Sequence, residues 1–377
     1  MDFSLSDEQE ALYAGMLRVG REVIAPGAAE RDLAGRWDPA VWKGLAAAGV
    51  PGMPIPEEYG GSGGSIIDCC LVNEALGEGG RDGGLGLSLG AHWVIGTVPI
   101  WLHGTEEQRQ RWLPGLCDGS LIGSWASTEP EAGSDSGAIR TTAVRDGDDW
   151  VLNGTKTFIT NGPIADVCTV LAKAPEGATA FIVDTRNPGF VVGRELDKLG
   201  CRSSPTAEIH LSDCRVRSAD VLGEVGNALW KIAFECFDWE RTVMLAGIVG
   251  GMRATLDTTI AYAKQREQFG KPIAHHQVIA HKLAQMEINY QVVRNAVYKA
   301  AWLKMVGREH MVEASVAKAL AGTLSVDNAL EAIQVHGGYG YLRDFPVERA
   351  LRDAKLASLG GGTTEIQKMI ISRSILA

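Results

Sequence analysis

Two changes of hydrophobic period divide this chain and restrict its architecture before any motif is considered. From Ser6 to about Asp118, apolar residues recur at helical spacing, as at Leu12, Met16, Val19 and Val23. From about Ser120 to Glu224 the pattern turns to short β-rich runs. From about Asn227 to Ala377 long Ala-, Leu-, Val- and Ile-rich helical segments return. The order helices, sheet, helices predicts an α+β fold in three units. These are an N-terminal α-helical domain over residues 1–118, a central β sheet or barrel over 119–226, and a C-terminal four-helix bundle over 227–377.

Local signals refine this division. Ser6-Asp7-Glu8-Gln9 has the spacing of a capping box. Gly60-Gly61-Ser62-Gly63-Gly64 reads as a loop between helices. Asn153-Gly154, between Trp150–Leu152 and Thr155–Thr160, predicts a two-residue hairpin. Further strands are expected at 168–171, 180–183, 190–192 and 207–211.

A net charge of -10 with no Lys/Arg-rich run argues against a nucleic-acid partner and against anionic membrane surfaces. No charge-free apolar stretch reads as long enough to span a bilayer. No basic-then-apolar leader opens the chain. The seven cysteines have no metal-like spacing, so free thiols in a reducing cytoplasm, and no metal site, are expected.

Five ordered segments carry the chemistry. Ser127-Thr128-Glu129-Pro130-Glu131-Ala132-Gly133-Ser134-Asp135 is a turn-rich loop of small residues and hydroxyls, suited to a flat polar ligand and equally to an ordinary surface loop. Lys156-Thr157-Phe158-Ile159-Thr160-Asn161-Gly162 follows, then Arg266-Glu267-Gln268-Phe269-Gly270 with His276-Gln277. Gln334-Val335-His336-Gly337-Gly338-Tyr339-Gly340 and Leu359-Gly360-Gly361-Gly362-Thr363-Thr364-Glu365-Ile366-Gln367 complete the set. Together, and in this order, they resemble the acyl-CoA dehydrogenase family over the whole chain.

The resemblance implies an FAD bound between the β domain and the C-terminal helices. Trp125 and Thr128 match flavin-lining positions, and Ser134 one near the pyrophosphate or the thioester. Phe158 stands where the family often has a Trp against the isoalloxazine. Thr160 matches a position that bonds the ring edge. Arg266 and Phe269 match positions that reach the adenine half of FAD from a neighbouring subunit. Gln334, Gly337 and Gly338 match positions at the pyrophosphate, and Gln277, Thr363 and Glu365 are further flavin-contact candidates. Glu365 replaces a frequent Gln. A homo-oligomer follows, a tetramer by family habit and a dimer at minimum, with an electron-transfer flavoprotein or oxygen as acceptor.

The family's reaction removes an α-proton from an acyl thioester while hydride leaves the β-carbon for the flavin. It needs a desolvated carboxylate as base and donors on the thioester carbonyl. Gly361 stands where most members carry the catalytic Glu. Its backbone N–H, one of the family's two carbonyl donors, is retained. The sequence offers another base in Phe237-Asp238-Trp239-Glu240-Arg241. By itself, a Glu beside an Arg reads first as a solvated helix pair. Isovaleryl-CoA and long-chain acyl-CoA dehydrogenases, which this chain resembles here, carry a small loop residue and a Glu before a helix Arg. Glu240 is therefore the expected base, with Phe237, Asp238 and Arg241 beside the substrate. Glu129, Asp135 and Glu365 are weaker candidates.

Glu131, Pro163-Ile164-Ala165-Asp166, Leu196-Asp197-Lys198 and Arg202-Ser203 resemble the flavoproteins that oxidise prolyl groups on carrier proteins, so acyl-CoA and acyl carrier protein are both expected substrates. A flavin oxidase or monooxygenase of the same superfamily, and a non-catalytic member that binds acyl thioesters, remain the alternatives.

Overall fold

The computed structural model describes residues 4–376. The N-terminal helices are α1 (Asp7–Val19), α2 (Ala28–Ala34), α3 (Pro39–Ala47), α4 (Ile66–Gly80), α5 (Gly83–Gly90), α6 (Val98–His103) and α7 (Glu106–Cys117). The expected capping box opens α1: Ser6 Oγ accepts the Gln9 N–H, and Gln9 Oε1 accepts the Ser6 N–H.

The middle region is one sheet of eight strands: β1 (Gly123–Ala126), β2 (Thr142–Asp146), β3 (Asp149–Thr160), β4 (Val167–Ala174), β5 (Gly177–Asp184), β6 (Phe190–Glu195), β7 (Thr206–Arg217) and β8 (Val221–Leu222). Its order is β6-β7-β3-β2-β4-β5-β8, with β1 added parallel to β4. The strands expected around 168–171, 180–183, 190–192 and 207–211 all form, as β4 to β7.

Two expectations are corrected here. Asn153-Gly154 makes no hairpin, because β3 runs straight through it and the turn lies at Gly147-Asp148. The pair instead faces a bulge in β7, where the β3–β7 register slips and Leu152 and Gly154 pair with Cys214 and Leu211. Asn153 exchanges hydrogen bonds with Asp213, which fixes the bulge to β3. Second, one apolar run is long enough to cross a bilayer by length and composition. It is the continuous helix Gly83–His103, and 72% of its most apolar window is buried inside the fold. Its apolarity is that of a core helix, with Trp93, Val94 and Val98 packed in the largest cluster.

The C-terminal region holds α8 (Phe234–Trp239), α9 (Leu245–Gln265), α10 (Gln277–Met305), α11 (Met311–His336), α12 (Pro346–Ala354) and α13 (Thr364–Leu376). Its core is continuous with that of the N-terminal helices. Val72 and Leu76 of α4, Val249 of α9, Val293 and Val297 of α10 and Ala317 of α11 share one buried cluster. A second cluster joins Trp112 and Leu116 of α7 to Trp125, Leu171 and Ile182 of the sheet and to Ile232 and Cys236. The first residues of the α8–α9 rod are thereby wedged between helices and sheet.

Candidate active site

Phe234 to Gln265 form one helical rod with a defect. α8 ends at Trp239, a π-helical turn spans Glu240–Met244, and α9 follows. A π turn re-aims the side chains around it and recurs at functional sites. Trp239 and Val243 are buried in the core. Glu240 opens the turn and meets the loop between α12 and α13.

The meeting point is Gly361. Its φ of +66° suits glycine, and a Cβ built there would lie 2.7 Å from Glu240 Oε1 and 2.8 Å from its Cδ. The Glu240 carboxylate thus fills the space into which a side chain at 361 would project. Gly362 lies beside Arg241, whose Nη2 would be 3.7 Å from a Cβ at 362.

Three further groups hold this loop. Lys318, buried in α11, donates from Nζ to the Ala357 carbonyl. Gln367, fully buried in α13, donates from Nε2 to the Gly362 carbonyl at 3.0 Å and to Gly361 at 3.4 Å. Thr363 Oγ1 accepts the Ile366 N–H and caps α13. Among the described residues no group accepts the Gly361 N–H, which stays free for a ligand carbonyl.

Burial raises the Glu240 carboxyl above the usual carboxylate range, while Lys318 and Arg241 pull it back. Burial likewise pulls the Lys318 ammonium down to about 8. The buried Arg241 guanidinium is also lowered by burial, and its Nε has no hydrogen-bond partner. A desolvated carboxylate between two cations, with an unused backbone donor alongside, can take a proton from a carbon acid whose conjugate base is an oxyanion.

The weaker base candidates are otherwise engaged. Glu129 accepts from Lys156 Nζ at 2.7 Å and from the Arg140 and Thr141 N–H groups. Burial works against its charge, yet these donors hold its carboxyl below the usual range. The clamp ties the 127–141 loop to β3, as does the Thr157 N–H on the Thr128 carbonyl. Asp135 and Glu365 are exposed, and Glu365 sits in the first turn of α13, where its own backbone N–H lowers its carboxyl.

The expected flavin positions form two sets. Trp125 and Thr128 lie on and just after β1, and Phe158 and Thr160 at the end of β3, with Ser134 exposed on the adjoining loop. Phe158 has a φ of +59° and is 66% exposed, an aromatic held outward at a register slip. Arg266, Phe269, Gln277, Gln334, Gly337 and Gly338 form the second set, all exposed around the α9–α10 and α11–α12 turns. Arg266 lies over the Tyr339 ring at 5.6 Å, and Phe269 is 93% exposed. Gly337 has a φ of +60° with open space where a Cβ would be. An outward aromatic on one side and an open glycine turn beside an arginine on the other fit a flavin dinucleotide. No group of His, Cys, Asp and Glu suited to a metal occurs among the described residues.

Not every expected substrate residue points to Glu240. Phe237 meets Arg241, whose Cζ is 5.2 Å from its ring. Asp238 turns toward the end of α10 and pairs with His310 at 3.0 Å and Lys304 at 3.7 Å. Sequence reasoning passed over Lys318 and left Gln367 without a role. The available signal for Lys318 was a lone cation within the Ala-rich run 314–321.

Models of the acyl-CoA dehydrogenase N-terminal, middle and C-terminal domains match residues 6–120, 124–214 and 230–376. The chain is 41% identical to a probable acyl-CoA dehydrogenase, YngJ, of Bacillus subtilis (strain 168), over the full length of both. Among solved structures it is similar to the prolyl acyl carrier protein oxidase AnaB, with a TM-score of 0.96 and 35% identity, covering 99% of this chain and 100% of that one. It is equally similar to the FAD complex of PigA, with a TM-score of 0.96 and 34% identity, covering 100% and 99%. Family models over nearly the whole chain and a relative 41% identical over its full length place it: the chain belongs to the FAD-dependent acyl-CoA dehydrogenase family.

Proposed function

We propose that this enzyme dehydrogenates an acyl thioester between its α- and β-carbons, with Glu240 as the base. One observation carries the assignment: the Glu240 carboxylate occupies the space where a side chain at loop position 361 would stand. The base is thus supplied from the helix, while the loop keeps its backbone donor. Glu240 removes the α-proton. The Gly361 N–H donates to the thioester carbonyl as negative charge develops there. Lys318 and Arg241 favour the ionised base before the transfer and offset the charge that passes to the carbonyl afterwards. Bound FAD supplies the acceptor for the β-hydride. Trp125, Thr128, Phe158 and Thr160 would hold its ring system. Arg266, Phe269, Gln334, Gly337 and Gly338 would hold the dinucleotide end of a partner subunit's FAD, in a dimer or tetramer.

Glu240→Gln should retain FAD and lose anaerobic bleaching by acyl thioesters by about 10²–10⁴-fold, the range for a general base. Near-normal bleaching by that variant sinks the assignment. Acyl carrier protein is a second candidate tether beside CoA, favoured by the likeness to a prolyl acyl carrier protein oxidase. Titration of the flavin with each substrate separates the two. Oxygen consumption during turnover tells oxygen from an electron-transfer flavoprotein as acceptor.

A further inference from the structure

The π turn that aims Glu240 is held from outside by a buried amide. Asn73 of α4 is 3% exposed, and its Nδ2 donates to the Val243 carbonyl at 2.7 Å, across 170 residues of sequence. A π turn departs from the regular helical ladder, and a side chain inserted there bends or fixes the rod. The same carbonyl also takes a backbone N–H from the end of the turn, so Asn73 fills its second lone pair and pins the turn to α4. On the other side of Glu240, the fully buried Thr242 hydroxyl lies 2.8 Å from the Asp238 carbonyl and 3.2 Å from that of Trp239. Side chains thus hold the backbone both before and after the base.

The platform under Asn73 is rigid. α4 and α9 cross with their backbones nearly touching: a Cβ at Gly77 would collide with the Gly247 carbonyl, and one at Gly250 with the Glu74 carbonyl. A Cβ at Gly247 would lie 3.2 Å from Asn73 Oδ1 and 3.3 Å from its Nδ2, so the amide is packed into the crossing without slack. The next residue, Glu74, is 1% exposed and ties α4 to α10. It accepts from Arg294 Nε at 2.8 Å, from the Tyr290 hydroxyl at 3.2 Å and from that of Tyr298 at 2.5 Å. Val72 and Leu76, close by on α4, belong to the apolar core. An amide buried there costs stability unless its bonds are made, and the bond it makes is to the turn.

We infer that Asn73 is a positioning residue for proton abstraction: through the Val243 carbonyl it fixes the π turn that points the Glu240 carboxylate at Gly361. The inference rests on Glu240 being the base and names what sets its aim. The test is Asn73→Ala, with Asn73→Ser in its place should the first variant fail to fold with FAD. The rate of anaerobic bleaching at saturating thioester and the half-bleaching concentration are measured separately. Displacing the carboxylate by about an ångström should slow saturated bleaching roughly 10- to 100-fold, while flavin content and half-bleaching concentration stay near wild type. The same substitution is then placed in Glu240→Gly/Gly361→Glu, where the base stands on the loop and no longer depends on the turn. There it should leave the rate unchanged. Equal slowing in both backgrounds, as a general loosening of the core would give, overturns the inference, and so does slowing in neither. Should the relocated base bleach too slowly to compare, crystal structures of wild type and Asn73→Ala decide. A Glu240 carboxylate moved from its place beside Gly361 supports the inference, and an unmoved one refutes it. Near-normal bleaching by Glu240→Gln refutes the base assignment, and this inference falls with it. Full activity of Asn73→Ala beside an inactive Glu240→Gln refutes this inference alone.

Discussion

Glu240 and Gly361 are one design seen from two positions. A carboxylate on the helix and a side chain on the loop compete for the same few ångströms, so a glutamate on the rod goes with a glycine on the loop. Burial raises the Glu240 carboxyl, and only its ionised form accepts a proton. Turnover should therefore fall as pH drops through a value above the usual carboxylate range. Lys318 opposes that rise. Lys318→Met should move the acidic limb of kcat to higher pH, because ionised Glu240 then loses a favourable cation. An unmoved limb, measured on flavin-replete enzyme, would show that Lys318 supports the loop only. The exchange of Glu between positions 240 and 361 was legible in the sequence because a missing residue and an added one explain each other. Lys318 was not, since nothing in a linear helix reveals that Nζ reaches the Ala357 carbonyl thirty-nine residues away.

Elements were legible where pattern and burial coincide. The strands run apolar where they are buried throughout, as in β4, or alternate where one face is open, as in β7, and the capping box of α1 depends only on local spacing. Asn153-Gly154 was misread because the same dipeptide can make a turn or run on as strand opposite a bulge, and the choice falls to the partner strand. Asp213, sixty residues on, supplies the bonds that keep β3 straight. The Gly83–His103 helix was underestimated because Ser88, His92 and Thr97 interrupt its apolar run while staying fully buried, each with an internal partner. The π turn at Glu240 has no sequence signature at all. It follows from packing Trp239 and Val243 into one core while aiming Glu240 at the loop.

The three regions converge at a half-buried carboxylate. Asp353 of α12 accepts the Cys201 N–H from the β region, and Asp82 of the N-terminal helices and Asp32 lie close by. Burial, aided by those two carboxylates, pushes Asp353 up to about 6. A carboxyl raised on folding favours the folded state fully below its unfolded value of 3.8, and that benefit is lost as pH rises from there through about 6. From the ordinary 3.8 to about 6, ionisation costs on the order of 3 kcal/mol at neutral pH. Asp353→Asn keeps an acceptor for Cys201 without the charge, so it should unfold at a higher temperature than wild type at pH 7.5, with a margin about one third as large at pH 4.5. An unfolding temperature lowered at pH 7.5 but not at pH 4.5 would show that the charge itself binds the three regions. The decisive measurement concerns the base. Gln at 240 would still crowd a side chain at 361, so the carboxylate must be moved with glycine left behind. The rate of anaerobic flavin bleaching should collapse in Glu240→Gly and return in part, at least about tenfold, in Glu240→Gly/Gly361→Glu, because both positions reach the same space. Bleaching by Glu240→Gly at near the wild-type rate would show that another group takes the proton.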